Sequence, residues 1–320
     1  MGESPRQIVV LAAAFALMVA LPAIASAMAR PDFVTLGSQI AIMAIAVASL
    51  DLLMGRTGLP SFGHAAWLGL GGYTVGILAF HQADLPWFVT QAWFAWPMAI
   101  LVPAALAAGI GALCLRTSGI SFIMITLAFA QMFFFLFIAL KAYGGDDGLS
   151  MRRRNALPGI APRDDVAFYY VCLAALVLVL FLLRRIAASR FGAVLDGIRQ
   201  NERRMMAIGL SPYPYKLAAF VMSAAIAGLA GALHVNLFRF ASPDLLHWTM
   251  SGELMVMVVL GGLGSLWGAV FGAAAMVLLH SLLAQWTEHW QIVLGPILVA
   301  VVLLARRGLW GALGGPKGGQ

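Results

Sequence analysis

Charge is scarce in this sequence. Only 10% of its 320 residues are charged, 20 of them basic and 13 acidic, against about 25% in a typical soluble domain. That is too little polar surface for a soluble globule of this size. An ordinary soluble enzyme is excluded on this ground, and the apolar content excludes a disordered chain. Cysteine is nearly absent. Cys114 and Cys172 each lie in an apolar run, so they read as buried thiols and exclude a disulfide scaffold. Lysine occurs only at Lys141, Lys216 and Lys317. None of the three sits in a Gly-x-x-x-x-Gly-Lys-Ser/Thr loop, so the chain is not expected to hydrolyse ATP itself. A Gly-x-Ser-x-Gly elbow, a His-Glu-x-x-His pair and a Cys-x-x-Cys pair are also missing, which removes the usual nucleophile and metal motifs.

What is present is apolar. The chain is 62% hydrophobic with a mean hydropathy of +0.92, and each membrane span needs about 20 such residues. An all-α polytopic membrane protein is expected, a single permease-like domain over residues 1–320. The net charge of +7 fits basic loops on the inner side of a membrane. No motif reads a nucleic-acid groove, and no nucleic-acid partner is expected. The apolar runs are 8–28, 34–54, 58–80, 93–115, 119–140, 166–183, 217–238, 254–284 and 292–305. Ala25-Ser26-Ala27 resembles a small-residue cleavage site. The run before it is long for a signal peptide, so a retained helix is favoured.

Loop charges set the orientation. Segment 184–216 holds seven basic and two acidic residues and is placed in the cytoplasm. Counting back six spans puts the N-terminus inside, with Arg56 and Arg116. Loop 141–165 then falls outside, with five basic and four acidic residues. Its Arg152-Arg153-Arg154 run opposes that placement. Arg306 and Arg307 also favour the cytoplasm, so 254–284 must make two passes. It is too short for two full spans at about 1.5 Å per residue. Gly261-Gly262-Leu263-Gly264 marks the break, with a half-helix over 254–260 and a full helix from Ser265. This gives about ten membrane elements, some discontinuous, with a flexible tail over 308–320.

A second interruption lies in 55–72, where Pro60, Ser61 and His64 fall among glycines. Broken helices at membrane depth are tolerated only where they are buried or line a cavity, and interrupted segments in two halves of a transporter point to a pathway. Ser61, Gly63, His64, Gly72, Gly261, Gly262 and Gly264 are the pathway candidates. Gly72/Gly76, Gly264/Gly268 and Gly268/Gly272 have small-xxx-small spacing, which first of all means packing within the chain. Among the ionisable residues in the spans, Asp51 reads as an interfacial partner of Arg56. His64 is divided between a packing and a pathway role. His234 and His280 read as satisfied histidines. Gly144 to Ser150 lacks the spaced oxygen ligands of a calcium loop, so Gly145, Asp146 and Gly148 are read as a turn at an outer mouth.

Residues 191–209 have helical spacing, with Val194, Leu195, Ile198, Met205 and Ile208 on one face. Gly209 is a cap, and Pro212 and Pro214 stop the helix. Such a helix lies on the inner leaflet or docks in a partner's groove. Periodicity leaves both open.

Several stretches together resemble the membrane permease of branched-chain amino acid ABC transporters. They are Leu59-Pro60-Ser61-Phe62-Gly63-His64-Ala65-Ala66, Gly71-Gly72-Tyr73, Gly145-Asp146-Asp147-Gly148-Leu149, Arg190-Phe191-Gly192, Ile198-Arg199-Gln200-Asn201-Glu202, Ala207-Ile208-Gly209, Tyr215-Lys216-Leu217 and Met257 through Gly268. The Arg-Gln-Asn-Glu and Tyr-Lys-Leu stretches resemble the M-type subunit. The chain departs from the family pattern at Asp146-Asp147, Arg152–Arg154 and Asp196-Gly197.

The resemblance implies an importer subunit in a bacterial inner membrane, with both termini cytoplasmic. Its substrates would be branched-chain or similar small apolar amino acids or amides. Its partners would be an H-type permease, two cytoplasmic ATP-binding subunits, an extracytoplasmic solute-binding protein and the lipid bilayer. The chain itself would need no cofactor, since the partner subunits use the ATP, and no residue is assigned to catalysis. The helix around Gly192, Ile198, Arg199, Asn201, Glu202 and Gly209 would couple to the ATPases, with Arg199 and Glu202 contacting or orienting them. A gradient-driven secondary transporter is the rival. It needs an intramembrane acid, for which Asp51 is the main candidate.

Overall fold

A computed structural model describes residues 5–82, 86–157, 163–286, 295–296 and 308–312. Among them, seven helices are long and apolar enough to cross a membrane, and two shorter apolar helices accompany them. The chain is a multi-pass helical membrane protein. The helices are α1 (Pro5–Ala27), α2 (Asp32–Asp51), α3 (His64–Phe80), α4 (Ala92–Cys114), α5 (Ile120–Ala139) and α6 (Asp165–Ala187). They continue as α7 (Arg190–Gln200), α8 (Glu202–Ala207), α9 (Pro212–Phe238), α10 (Trp248–Gly261), α11 (Leu266–Trp286) and α12 (Gly308–Ala312). Nine of the expected membrane elements are therefore in place. The tenth, 292–305, lies outside the described residues apart from 295–296, and so does the rest of the tail from 313.

The bundle is built around α2. Ile42 and Ala44 through Ala48 have no exposed surface, because α2 is packed by α1, α6, α9, α10 and α11 at once. Its alanines keep those neighbours close, where dispersion contacts replace a hydrophobic driving force that lipid does not supply. The tightest seam joins α3, α9 and α4. A Cβ on Gly71 would collide with Gly228, one on Gly231 with the Leu68 carbonyl, and one on Gly228 with the Ala99 carbonyl. Gly72 lies in the same seam, 2.7 Å from Val235 Cγ2 measured from a built Cβ. Both cysteines are free and buried.

Three expectations need correction. Residues 191–209 are not one helix. The extended Asn201 ends α7, and its side chain caps α8 by accepting from Arg204 N at 3.0 Å. Asn is well suited to that position. Pro212 does not stop a helix but starts α9, where a missing N–H costs nothing. The flexible tail does not begin at 308. Residues 308–312 form α12, and Trp310 is buried with its ring stacked on Phe271 at 5.4 Å.

The end of the bundle that carries loop 141–165 is stapled by polar groups. Leu149–Ser150 (β1) pairs antiparallel with Phe240–Ala241 (β2), Leu149 opposite Ala241. Arg154 is only 8% exposed. It donates to the Asn236 carbonyl at 2.9 Å, pairs with Asp165 at 2.7 Å and lies 4.5 Å from the centre of the Phe168 ring. This is the work of the arginine that opposes the charge rule: it is spent inside the fold, while Arg152 and Arg153 are exposed. The Asn155 backbone N–H donates to Asn236 Oδ1 at 2.8 Å, Asn236 Nδ2 donates to Asn155 Oδ1 at 2.9 Å, and Asn155 Nδ2 donates to the Thr90 carbonyl at 2.7 Å. Asn236→Ala should strand the buried groups of Asn155, at about 1–3 kcal/mol for each unsatisfied group. The expected outcome is a clearly lowered unfolding midpoint in detergent, with Asn236→Gln intermediate. An unchanged midpoint would contradict the network.

Candidate functional site

The site is assembled from the two helix breaks and the α7–α8 pair. Below Asp51 the α2 helix widens into a π-helical turn, Leu52–Arg56. Such turns insert an extra residue and recur at functional sites. The chain then leaves the helix and re-enters as α3 at His64. The backbone groups freed by this first break are met by side chains. Thr57 Oγ1 donates to the Leu53 carbonyl, Ser61 Oγ accepts from Gly63 N at 3.3 Å, and Ser251 Oγ accepts from Ala65 N at 2.9 Å. His64 Nε2 lies 2.8 Å from Ser49 Oγ, which itself donates to Ala46 O at 2.6 Å. With that hydroxyl hydrogen spent, the network assigns the proton to Nε2. Ser223 Oγ donates to the Ser49 carbonyl from α9. A Cβ on Gly63 would stand 2.7 Å from the Thr126 carbonyl of α5. Ser61 and His64 have no exposed surface. The first break is closed inside the bundle.

The second break is 262–265. Gly262 (φ 112°) and Gly264 (φ 76°) adopt conformations that L side chains avoid. The half-helix before it begins at Trp248, six residues ahead of the expected start, because Ser251 and Glu253 are accommodated within α10. Gly264 N donates to Asp51 Oδ1 at 2.7 Å. Gly268 N donates to Ser265 Oγ at 3.1 Å, so Ser265 caps α11. Gly261 and Gly268 face each other so closely that a Cβ on either would strike the other's carbonyl. Gly308 of α12 packs on Gly261 and Gly262 from the far side.

The α7 helix lies against both. The Arg199 guanidinium donates to the Gly55 carbonyl of the π-helical turn. Arg56 Nη1 donates to Asp196 Oδ2 at 2.9 Å. Asp51, read from sequence as the partner of Arg56, is instead bonded to Gly264, and Arg56 is taken by Asp196. One of the departures from the family pattern thus makes an ion pair that fastens α7. Glu202 is held by Lys216 Nζ at 2.7 Å. Leu195 and Ile198 are buried. Gly192 is required where α6 turns into α7, since a Cβ there would meet the Ile186 and Ala187 carbonyls at 2.5 Å. Gly209 has φ +85° with open space around it. On the outer side of α8 and just beyond it, Met206 and Ile208 are 52% and 67% exposed.

The structure therefore brings Arg199 to Gly264 beside Gly55, with Gly261 and Gly262 at the same break, while Gly192 lies apart at the α6–α7 turn and Ile198 is buried on α7. Ser61, Gly63 and His64 form a second, interior cluster. Gly72 is apart from both, in the α3–α9 seam. Gly145, Asp146 and Gly148 are at the opposite end of α9, about 40 Å away for a helix of 27 residues. There Gly145–Asp147 forms a 3-10 turn with Asp146 exposed. Sequence reasoning missed Ser49, Ser223 and Ser251 as partners of the first break. For Ser49 and Ser223 the signal is a hydroxyl in an apolar run, whereas Ser251 lies between Thr249 and Glu253 and carries no such mark. Among the described residues no group of His, Cys, Asp or Glu side chains is placed to hold a metal.

A family model described as the branched-chain amino acid transport system / permease component matches residues 33–302. The chain belongs to this family. It is 28% identical to the high-affinity branched-chain amino acid transport system permease protein LivM of Salmonella typhimurium, over 96% of this chain and 76% of the relative. It is 29% identical to LivM of Escherichia coli over the same shares. It is 25% identical to the permease protein LivH of Escherichia coli, over 87% of this chain and 93% of the relative. No solved structure matches. The matched region of this permease chain takes in both breaks and all of α7–α8.

The Arg56–Asp196 pair is half-buried, and such pairs contribute roughly 0.5–1 kcal/mol. In a double-mutant cycle, Arg56→Ala and Asp196→Ala should each destabilise the chain, and the double variant by less than their sum. Additive unfolding shifts would show that the two side chains do not act together.

Proposed function

We propose that the chain is the M-type permease subunit of an ATP-driven importer of branched-chain or similar small apolar amino acids. The substrate class rests on the names of its relatives. The observation that carries the coupling role is the α7–α8 pair. It projects from between two spanning helices, is anchored to the π-helical turn of a third, and leaves an apolar edge uncovered. Its end of the bundle holds the most basic segment, which supports a cytoplasmic location. The fold then runs with Arg6 inside and the 141–165 loop outside, in a bacterial inner membrane.

In this reading one of the two ATP-binding subunits docks on the exposed side of α8. Met206 and Ile208 supply the apolar contact and Arg203 and Arg204 the charge, as an amphipathic helix in a groove. Arg199 and Glu202, expected to contact or orient the ATPases, are bonded to Gly55 and Lys216 and hold α7 and α8 in place, which fits the orienting role. The chain uses no cofactor, since ATP is bound and hydrolysed by the partner subunits. A second, H-type permease completes the translocation unit, and an extracytoplasmic binding protein delivers solute to the side bearing Gly145, Asp146 and Gly148. The pathway follows the breaks, with Ser61, Gly63, His64, Gly261, Gly262 and Gly264 along it, while Gly72, also expected there, packs in the α3–α9 seam. It is closed in this arrangement and opens as the ATPases move α7.

The gradient-driven alternative needs a free acid in a span. Asp51 is occupied by the Gly264 amide, which favours the ATP-driven reading.

Co-expression with the partner permease and ATPases tests the proposal. Met206→Asp with Ile208→Asp should reduce co-purified ATPase at least ten-fold while the permease pair stays together. Glu202→Ala should reduce it less. Absence of ATPase from the wild-type assembly, or full recovery with the double variant, would contradict the proposal.

A further inference from the structure

We infer that Asp51 is the positioning residue through which α7 controls the second helix break. The inference rests on the coupling role proposed above and names the atoms that carry it.

Six consecutive residues, 51–56, make every link required. Asp51 is 2% exposed, and its Oδ1 accepts from Gly264 N at 2.7 Å. Gly55, one helical turn on, gives its carbonyl to Arg199. Arg56 reaches Asp196 on the same face of α7. The two contacts on α7 and the one on the break thus leave a single rigid turn of backbone. The geometry has no slack. A Cβ on Gly55 would collide with Asp51 Oδ1 and stand 2.6 Å from Gly264 N, and a Cβ on Gly264 would stand 3.5 Å from Arg199 Nη1. A displacement of α7 therefore moves the turn, and the turn moves Gly264.

The bond also carries a chemical consequence. An amide at a break inside an apolar protein must find an acceptor. A carboxylate makes the strongest one, and the guanidinium groups of Arg56 and Arg199 are the cations that act on it. Breaking the bond strands both the amide and the charge, so the break favours two arrangements rather than a continuous range: bonded to Asp51, or withdrawn to where its amide is hydrated. That is the property a gate needs. Gly308 of α12, packed on Gly261 and Gly262, limits the withdrawal from the other side.

The test uses the whole assembly, with the partner permease, ATPases and binding protein, in proteoliposomes. Uptake of radiolabelled leucine and ATP hydrolysis are measured together. Asp51→Ala should still assemble with the ATPases, while leucine taken up per ATP hydrolysed falls at least ten-fold. Asp51→Asn keeps an oxygen that can accept from Gly264 N, and should restore at least a third of the wild-type ratio. Arg199→Ala cuts the same linkage at its more exposed end. It should lower the ratio without loss of ATPase binding, which also covers the case that Asp51→Ala does not fold. A wild-type ratio in Asp51→Ala or in Arg199→Ala overturns the inference alone. So does an Asn variant no better than the Ala variant. Loss of the ATPases from Arg199→Ala overturns it by making Arg199 a docking residue. A wild-type assembly that hydrolyses ATP without transporting leucine, or that never binds ATPase, overturns the underlying functional reading as well.

Discussion

Two interruptions in otherwise continuous helices leave backbone N–H and C=O groups inside an apolar protein, where water cannot serve them. The bond from the Gly264 amide to the Asp51 carboxylate meets that requirement at the second break, and much of the surrounding architecture depends on it. It brings the end of α2 against the junction of α10 and α11. It leaves Gly55 as the residue at the contact, because nothing larger fits there. It leaves the Gly55 carbonyl facing outward, where Arg199 meets it. The first break follows the same rule with neutral partners. Thr57, Ser61 and Ser251 serve its backbone, while Ser49, Ser223 and His64 knit α2, α3 and α9 around it.

This accounting explains how so few polar side chains suffice. Many of them serve helix ends and breaks, and the rest of the interior is apolar, with alanine and glycine where helices approach most closely. Close approach of α3, α9 and α4 then supplies the packing that lipid cannot drive. At the far end of α9, Arg154, Asn155 and Asn236 do for loop 141–165 what Asp51 does for the break. The two ends of the bundle therefore differ in kind. One is stapled by a network in which Arg154, Asn155 and Asn236 are buried. The other meets α7 through two bonds to a single π-helical turn and α8 through Lys216 of α9, and it leaves Met206 and Ile208 exposed.

The described spans and both breaks were legible in the sequence, because a membrane imposes length and apolarity on every crossing and glycine with proline marks interruption. Gly261-Gly262-Leu263-Gly264 and Pro60-Ser61 sat where the helices stop. The resemblance to the permease family, carried by ordered motifs, was matched by the family comparison over 33–302. What the sequence could not show was pairing across long separations. Asp51 and Arg56 are five residues apart and read as partners, yet each is claimed by a group more than a hundred residues away. Periodicity merged α7 and α8 into one helix, because an Asn that is extended and capping breaks no hydrophobic pattern. Arg154 looked like a topological signal until its buried partners were in view. Trp310 looked like part of a tail until Phe271 stood opposite it.

The central claim is that the second break and α7 move as one. Hydrogen exchange of the assembled transporter, with and without a non-hydrolysable ATP analogue, addresses it directly. The account predicts that nucleotide alters protection of the Gly264 amide and of the α7 amides together, over the same nucleotide concentrations. Altered protection in α7 and α8 with Gly264 unchanged would contradict it.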